Sequence, residues 1–202
     1  MDLTTSLLAI GALIAASAFF STAEISMAAA RRLKLRQLAD EGDTRAERVL
    51  AVQAEPGHYF TVVQIGLNSV AILGGIVGEG ALTPHLAAAL GSVVSPERAQ
   101  TLGFAASFAL ITACFIVLAD LVPRRLGMNE PERIAMRTVA PMLWLTGLLR
   151  PLVWLFNGLT TGLFRLLGLP QARDDRVTSH DILALTEAGA QSGAVADAEQ
   201  QV

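Results

Sequence analysis

The residues of this chain best suited to chemistry are polar groups set into apolar runs. An uncharged stretch, Ala99-Gln-Thr-Leu-Gly-Phe-Ala-Ala-Ser-Phe-Ala-Leu-Ile-Thr-Ala-Cys-Phe-Ile-Val-Leu-Ala119, runs directly into Asp120-Leu-Val-Pro-Arg-Arg-Leu-Gly127. Pro123 has no N–H, so a helix that continues through it leaves the Ala119 carbonyl without its usual partner, beside the Asp120 carboxylate. A carboxylate and a free carbonyl at the end of a membrane helix suit a cation. The alternative is that Pro123 stops the helix and Asp120 sits in the headgroups, paired with Arg124 one turn on. Ser17, Ser21 and Glu24 fall at i, i+4 and i+7, on one helix face. That face either lines a polar cavity or ends the helix at the interface, with the serines bonding back to their own backbone. Gln64 and Asn68 lie one turn apart in another apolar run, where an amide needs a second helix or a ligand as partner. Glu79, about 20 residues past Tyr59 and so ~30 Å along a helix, would lie near an outer exit.

Other chemistries fit less well. An intramembrane protease needs a Ser–His or Asp–Asp arrangement, but His58, His85 and His180 lie outside the apolar runs and Asp120 has no second Asp at its depth. No catalytic residues are assigned, and the chain is not expected to be an enzyme. Cys114 is the sole cysteine and sits in an apolar run, which excludes a disulfide framework or a thiolate metal site. Nucleic acid is not an expected partner, because Asp40, Glu41, Asp43 and Glu47 interleave with the bases around them and the net charge is −3.

The elements that must position these residues are membrane helices. Hydrophobic residues make up 52% of the chain, charged residues 16%, and mean hydropathy is +0.50, which places the lipid bilayer among its partners. The expected fold is all-α integral membrane, with three transmembrane helices over about 3–26, 59–80 and 99–122. The first run competes with a signal peptide, since Ala16-Ser-Ala18 resembles a cleavage site. Its start, Met1-Asp2, lacks the basic residue a signal peptide needs, so an uncleaved helix is favoured. Arg31-Arg-Leu-Lys-Leu-Arg36 follows the first span and Arg124, Arg125, Arg133 and Arg137 follow the third, whereas the loop 84–98 holds one Arg. The positive-inside rule then puts the N-terminus outside and the C-terminal side in the cytoplasm. Residues 37–55 read as a juxtamembrane surface segment closed by Pro56-Gly57.

Two runs within about 135–168, parted by Arg150-Pro151, are each too short to span and hold both tryptophans. They read as a helix pair in or on the inner leaflet. Ala12, Ala15, Ala16, Ser17 and Ala18, with the small-xxx-small seam Gly74-Gly-Ile-Val-Gly78, predict close helix packing within the chain or in a homodimer. Residues 171–202 form a charged linker and then a helix starting at Thr178-Ser-His-Asp181, with a further helix beginning near 197, so the native protein is expected to continue.

Several of these segments resemble one family. Phe19-Phe-Ser-Thr-Ala-Glu-Ile-Ser26, Arg32-Leu-Lys-Leu-Arg-Gln-Leu-Ala-Asp-Glu-Gly42, Gln64-Ile-Gly-Leu-Asn68, Ala119-Asp-Leu-Val-Pro123 and Pro151-Leu-Val-Trp-Leu-Phe-Asn157 are similar to the transmembrane domain of the cyclin M / CorC (haemolysin-like) family. The resemblance implies a transmembrane domain over 1–170 and, over 171–202, the start of a truncated cytosolic CBS module. It also implies three spans, a juxtamembrane helical belt, a homodimer and a bacterial inner (plasma) membrane location. No cofactor is expected in this chain beyond Mg²⁺ as an ion it would carry; ATP is implied only for the CBS module. In magnesium-transporting members the matching ion-site positions are Ser21, Asn68, Asp120 and a carbonyl near Gly127. Here Ala119-Asp120 stands for the usual Gly-Glu, Arg124 for the usual Lys, and Leu67-Asn68 for Asn-Asn, while Glu79 is an added acid. Val62-Val-Gln-Ile-Gly-Leu-Asn-Ser-Val-Ala-Ile-Leu-Gly-Gly-Ile-Val-Gly78 and Phe115-Ile-Val-Leu-Ala-Asp-Leu-Val-Pro123 look most like the PaeA-type polyamine (cadaverine and putrescine) export subgroup. Its substrate would draw on Ser21, Glu24, Asn68, Asp120 and Gly127, with Ser17, Gln64 and Glu79 along the path. A diamine wants carboxylates with an apolar or aromatic wall between them, whereas Mg²⁺ wants octahedral oxygens and gives up water reluctantly. The alternatives are Mg²⁺ efflux and a non-transporting membrane sensor or regulator.

Overall fold

The computed structural model describes residues 3–168, so the expectations for 171–202 lie outside the described residues. Every regular element among them is helical. The order is α1 (Leu3–Ala29), α2 (Arg32–Asp40), α3 (Thr44–Ala54), α4 (Gly57–Leu90), α5 (Pro96–Cys114), a π-helical segment (Phe115–Leu121), α6 (Val122–Asn129), α7 (Pro131–Leu148) and α8 (Arg150–Leu166). Among the described residues three helices are each long and apolar enough to cross a membrane: Leu3–Ala29, Gly57–Leu90 and the continuous Pro96–Asn129. At ~1.5 Å per residue each exceeds the ~30 Å hydrocarbon core.

Two boundaries differ from the expectation. The outer loop placed at 84–98 is shorter, because α4 continues through Pro84 to Leu90. A proline inside a helix frees one carbonyl, yet α4 stays helical on both sides of Pro84. His58 and His85 therefore fall inside the two ends of α4 rather than outside it. The third span likewise passes through Pro123 to Asn129, so Pro123 does not stop it.

Spans α4 and α5 pack through missing side chains. A Cβ on Gly74 would collide with the Phe115 ring, one on Gly78 would lie 2.6 Å from Ile111, and one on Gly103 would lie 2.8 Å from the Ala87 backbone nitrogen. Absent Cβ atoms allow close helix approach where lipid offers no hydrophobic drive. The Gly74–Gly78 seam is thus occupied within the chain.

The largest apolar core sits where the end of α1 meets α2, α3, the start of α4, and α7. Met27, Leu35, Val49, Val62, Val63, Val139 and Met142 are all buried there. The α2–α3 hairpin turns at Gly42, whose φ of 93° suits glycine. Gly42 N–H donates to Ala39 O and Asp43 N–H to Leu38 O, the paired bonds that close a helix C-terminus. Asp43 then caps α3 by accepting from the Arg45 N–H at 2.9 Å. Gln53 Nε2 reaches back to the Met27 and Ala30 carbonyls, satisfying orphan acceptors at the end of α1. Helix α7 ends at Leu148 and α8 starts at Arg150, at the Arg150-Pro151 break expected between the two short runs.

Candidate functional site

The π-helical segment carries the site. Pro123 can donate neither an α-type bond to the Ala119 carbonyl nor a π-type bond to Leu118, so the backbone just before it is released from the α register. In this segment the Val122 N–H reaches the Val117 carbonyl, five residues back. Hydroxyls of the neighbouring span reach other acceptors of this stretch. Ser21 Oγ lies 3.5 Å from the Asp120 carbonyl and 3.1 Å from Asp120 Oδ1, and Thr22 Oγ1 donates to the Pro123 carbonyl at 3.4 Å. Ser21 is buried while donating, so it does not simply bond back to its own helix.

A pocket of about 410 Å³ opens between α1, α4 and the π segment. Ser17 and Glu24 reach it from α1, Gln64 and Asn68 from α4, Asp120 from the π segment and Arg124 from α6, with Leu67, Ala71, Phe115 and Ile116 as the apolar wall. Glu24 Oε1 accepts from Gln64 Nε2 at 3.2 Å. Arg124 donates to Asp120 Oδ1 through Nε at 3.2 Å and Nη2 at 2.9 Å. Of the second reading of Asp120 only the pairing with Arg124 is present: the helix runs on through Pro123, and Asp120 also lines the pocket. Two carboxylates against one guanidinium leave one net negative charge beside an apolar wall. Such a surface attracts cations.

The expected site residues divide accordingly. Ser17, Glu24, Gln64, Asn68 and Asp120 share the pocket, and Ser21 touches it through Asp120. Gly127 lies elsewhere, buried against Ile25, Thr22 and Ser26 of α1, where a side chain would collide with Ile25. Glu79 does not line this pocket; it is roughly 17 Å along α4 from Asn68 at ~1.5 Å per residue, and the helix runs on past it to Leu90. Among the described residues no three His, Cys, Asp or Glu side chains cluster as a metal-binding group.

Phe115 as a specific lining residue was not singled out in the sequence. The i→i+5 bonds of a π turn place residues five apart, such as Phe115 and Asp120, on one face, whereas an α-helical wheel pairs residues three and four apart. Pro123 was the only signal available. A second cluster was also missed. Glu132, buried in the first turn of α7, accepts from the Arg31 N–H at 3.3 Å and pairs with Arg31 Nε at 3.0 Å and Lys34 Nζ at 3.2 Å. Burial alone would raise the Glu132 carboxyl, but hydrogen bonds from the Arg31 side chain and backbone and from Lys34 hold it down at about 2. The contact ties α7 to the α1–α2 joint, beside the ends of the spans that carry Glu24 and Asp120.

The chain is similar to known proteins over nearly its whole length. The Polyamine export protein of Salmonella typhimurium is 50% identical over 190 residues, 94% of this chain and 42% of the relative. That of Escherichia coli K12 is 50% identical over 197 residues, 98% of this chain and 44% of the relative. That of Haemophilus influenzae is 46% identical over 198 residues, 96% of this chain and 45% of the relative. The chain spans less than half the length of these relatives. The family description "Cyclin M transmembrane N-terminal domain" matches residues 8–200, and with the helices and relatives above it follows that this chain belongs to the cyclin M transmembrane-domain family.

Proposed function

We propose that this protein exports small organic dications, diamines of the cadaverine and putrescine class, from the cytoplasm. The observation that carries this reading is the pocket lined by both Glu24 and Asp120, from different helices, together with the apolar side chains of Phe115, Leu67, Ala71 and Ile116. Two ammonium groups joined by a methylene chain need two anions and an apolar wall. The relatives' name, Polyamine export protein, supports the same class.

In this reading Ser21 orients Asp120, Asn68 and Gln64 offer amide oxygens to an ammonium, and Ser17 and Glu79 lie along the path. The N-terminus faces outward and the pocket opens to the cytoplasm of a bacterial inner membrane. The motivation is the basic residues Arg31, Arg32, Lys34 and Arg36 after α1, and Arg124, Arg125, Arg133 and Arg137 at the other cytoplasmic end. A homodimer assembled through the exposed small residues Ala12 and Ala15 of α1 completes the assembly, with nucleotide regulation assigned to a CBS module beyond residue 170.

A second reading is Mg²⁺ efflux. It is favoured by a hydroxyl, an amide and a carboxylate from Ser21, Asn68 and Asp120 at one pocket, whereas the Gly127 carbonyl that reading also requires lies outside its lining. A sensor without transport would use the same residues. Flux from the purified protein in liposomes, with diamine and Mg²⁺ compared side by side, tests all three. Saturable diamine efflux is expected; robust Mg²⁺ flux without diamine flux would replace the reading with the second, and binding without flux of either would leave the sensor.

A further inference from the structure

Three hydrogen bonds converge on one oxygen of Asp120. Ser21 Oγ donates at 3.1 Å, Arg124 Nε at 3.2 Å and Arg124 Nη2 at 2.9 Å, all to Oδ1. Arg124 is the only cationic residue lining the pocket among the described residues. Its side chain is 46% exposed and that of Asp120 45%, so the pair stands at the pocket surface rather than locked in the core. Glu24, by contrast, meets the neutral amide of Gln64. The two carboxylates are therefore unequal: one is already matched by a cation and the other is not.

We propose that Arg124 is a tethered counter-cation of the pocket: it holds Asp120 when the site is empty and yields that place to a substrate ammonium, thereby setting affinity and cation selectivity. This rests on reading the pocket as a cation site. Guanidinium groups do not lose their proton in proteins, so Arg124 can leave Asp120 only by moving. The pocket carries one net negative charge with Arg124 engaged and two once it swings away. A diamine matches the second state, one ammonium on Glu24 and the other in the place of the guanidinium. An alkylammonium replaces the lost N–H donors with its own. Mg²⁺ concentrates two charges at one point, so an engaged guanidinium repels it more than it repels the single charge of each ammonium of a diamine. Arg124 is in this sense a positioning and selectivity residue, acting through Asp120.

A plain helix-surface ion pair at i, i+4 would affect ligand binding little, and the test separates the two. Cadaverine binding to the intact protein in nanodiscs is measured by calorimetry, with Mg²⁺ as competitor. Removing the competing pair in Arg124→Gln is expected to tighten cadaverine binding about two- to fivefold and to strengthen Mg²⁺ competition by a larger factor. Arg124→Lys should stay close to wild type, and Arg124→Gln placed on Asp120→Asn should change nothing further. Arg124→Met, which keeps the apolar stem, serves as a second neutral variant if the glutamine variant does not fold. Unchanged or weaker cadaverine binding in a folded neutral variant, with wild-type binding intact, would overturn the inference alone. Absence of saturable cadaverine binding in wild type and variants together would overturn the diamine reading and this inference with it.

Discussion

Replacing Glu132 by glutamine keeps the shape of the side chain and removes the charge that joins α7 to the α1–α2 joint. The carboxylate is buried to 4% exposure and takes bonds from the Arg31 N–H, Arg31 Nε and Lys34 Nζ. Its carboxyl is held at about 2 against an ordinary value of 4.5, a gap equivalent to roughly 3 kcal/mol. The partners Arg31 and Lys34 are 73% and 51% exposed, so water screens them, and about 2 kcal/mol is the expected loss in Glu132→Gln at neutral pH. The folded-state value lies below the unfolded one. The stabilisation is therefore fully present above about 4.5 and is lost as pH falls towards about 2. Unfolding of wild type and Glu132→Gln in mild detergent, followed from pH 7 down to pH 3, reads this directly. The gap between the two should be widest at pH 7 and narrow below about 4.5. A gap that does not change with pH, or no gap at pH 7, would refute the assignment of this stabilisation to the Glu132 charge.

Asp120→Asn preserves volume and the Ser21 contact but removes the charge, and should abolish diamine export; Asn68→Ala should also lose it, while Asp120→Glu should weaken diamine export more than any Mg²⁺ flux. Wild-type export from Asp120→Asn in liposomes would remove Asp120 from the site. Gly103→Ala would set a Cβ 2.8 Å from the Ala87 backbone nitrogen, which cannot rotate aside, so α4 and α5 must part at a cost of about 1–3 kcal/mol in detergent unfolding; unchanged stability would refute the packing. Ala15→Leu should weaken dimerisation by light scattering while leaving the monomer folded, whereas Gly74→Leu should damage the fold itself through Phe115. On a Cys114→Ala background, cysteines at 92 should label from outside and cysteines at 36 and 171 from inside; external labelling at 171 would favour a fourth span.

The chain by itself determined which segments are membrane helices, because apolarity belongs to each residue and a bilayer needs only length and hydropathy to select a span. It also marked Glu24, Gln64, Asn68 and Asp120, since a polar side chain in lipid must find a polar partner whatever the fold. Which partner it finds was not legible there. Glu24 meets Gln64, 40 residues away, and Ser21 meets Asp120, 99 residues away; these pairings follow from how each helix is rotated and from the π turn before Pro123, which shifts the phase of everything after it. The spacing Gly74-Gly-Ile-Val-Gly78 fits a second copy or a neighbour in the same chain equally well, and only the position of Phe115 and Ile111 gives it to the third span. Glu132 reads in the sequence as an ordinary acid in the first turn of a helix. Its burial against Arg31, 101 residues earlier, exists only once the spans have brought the two ends together, because a charge pair of that separation is a property of the packed assembly and not of either segment.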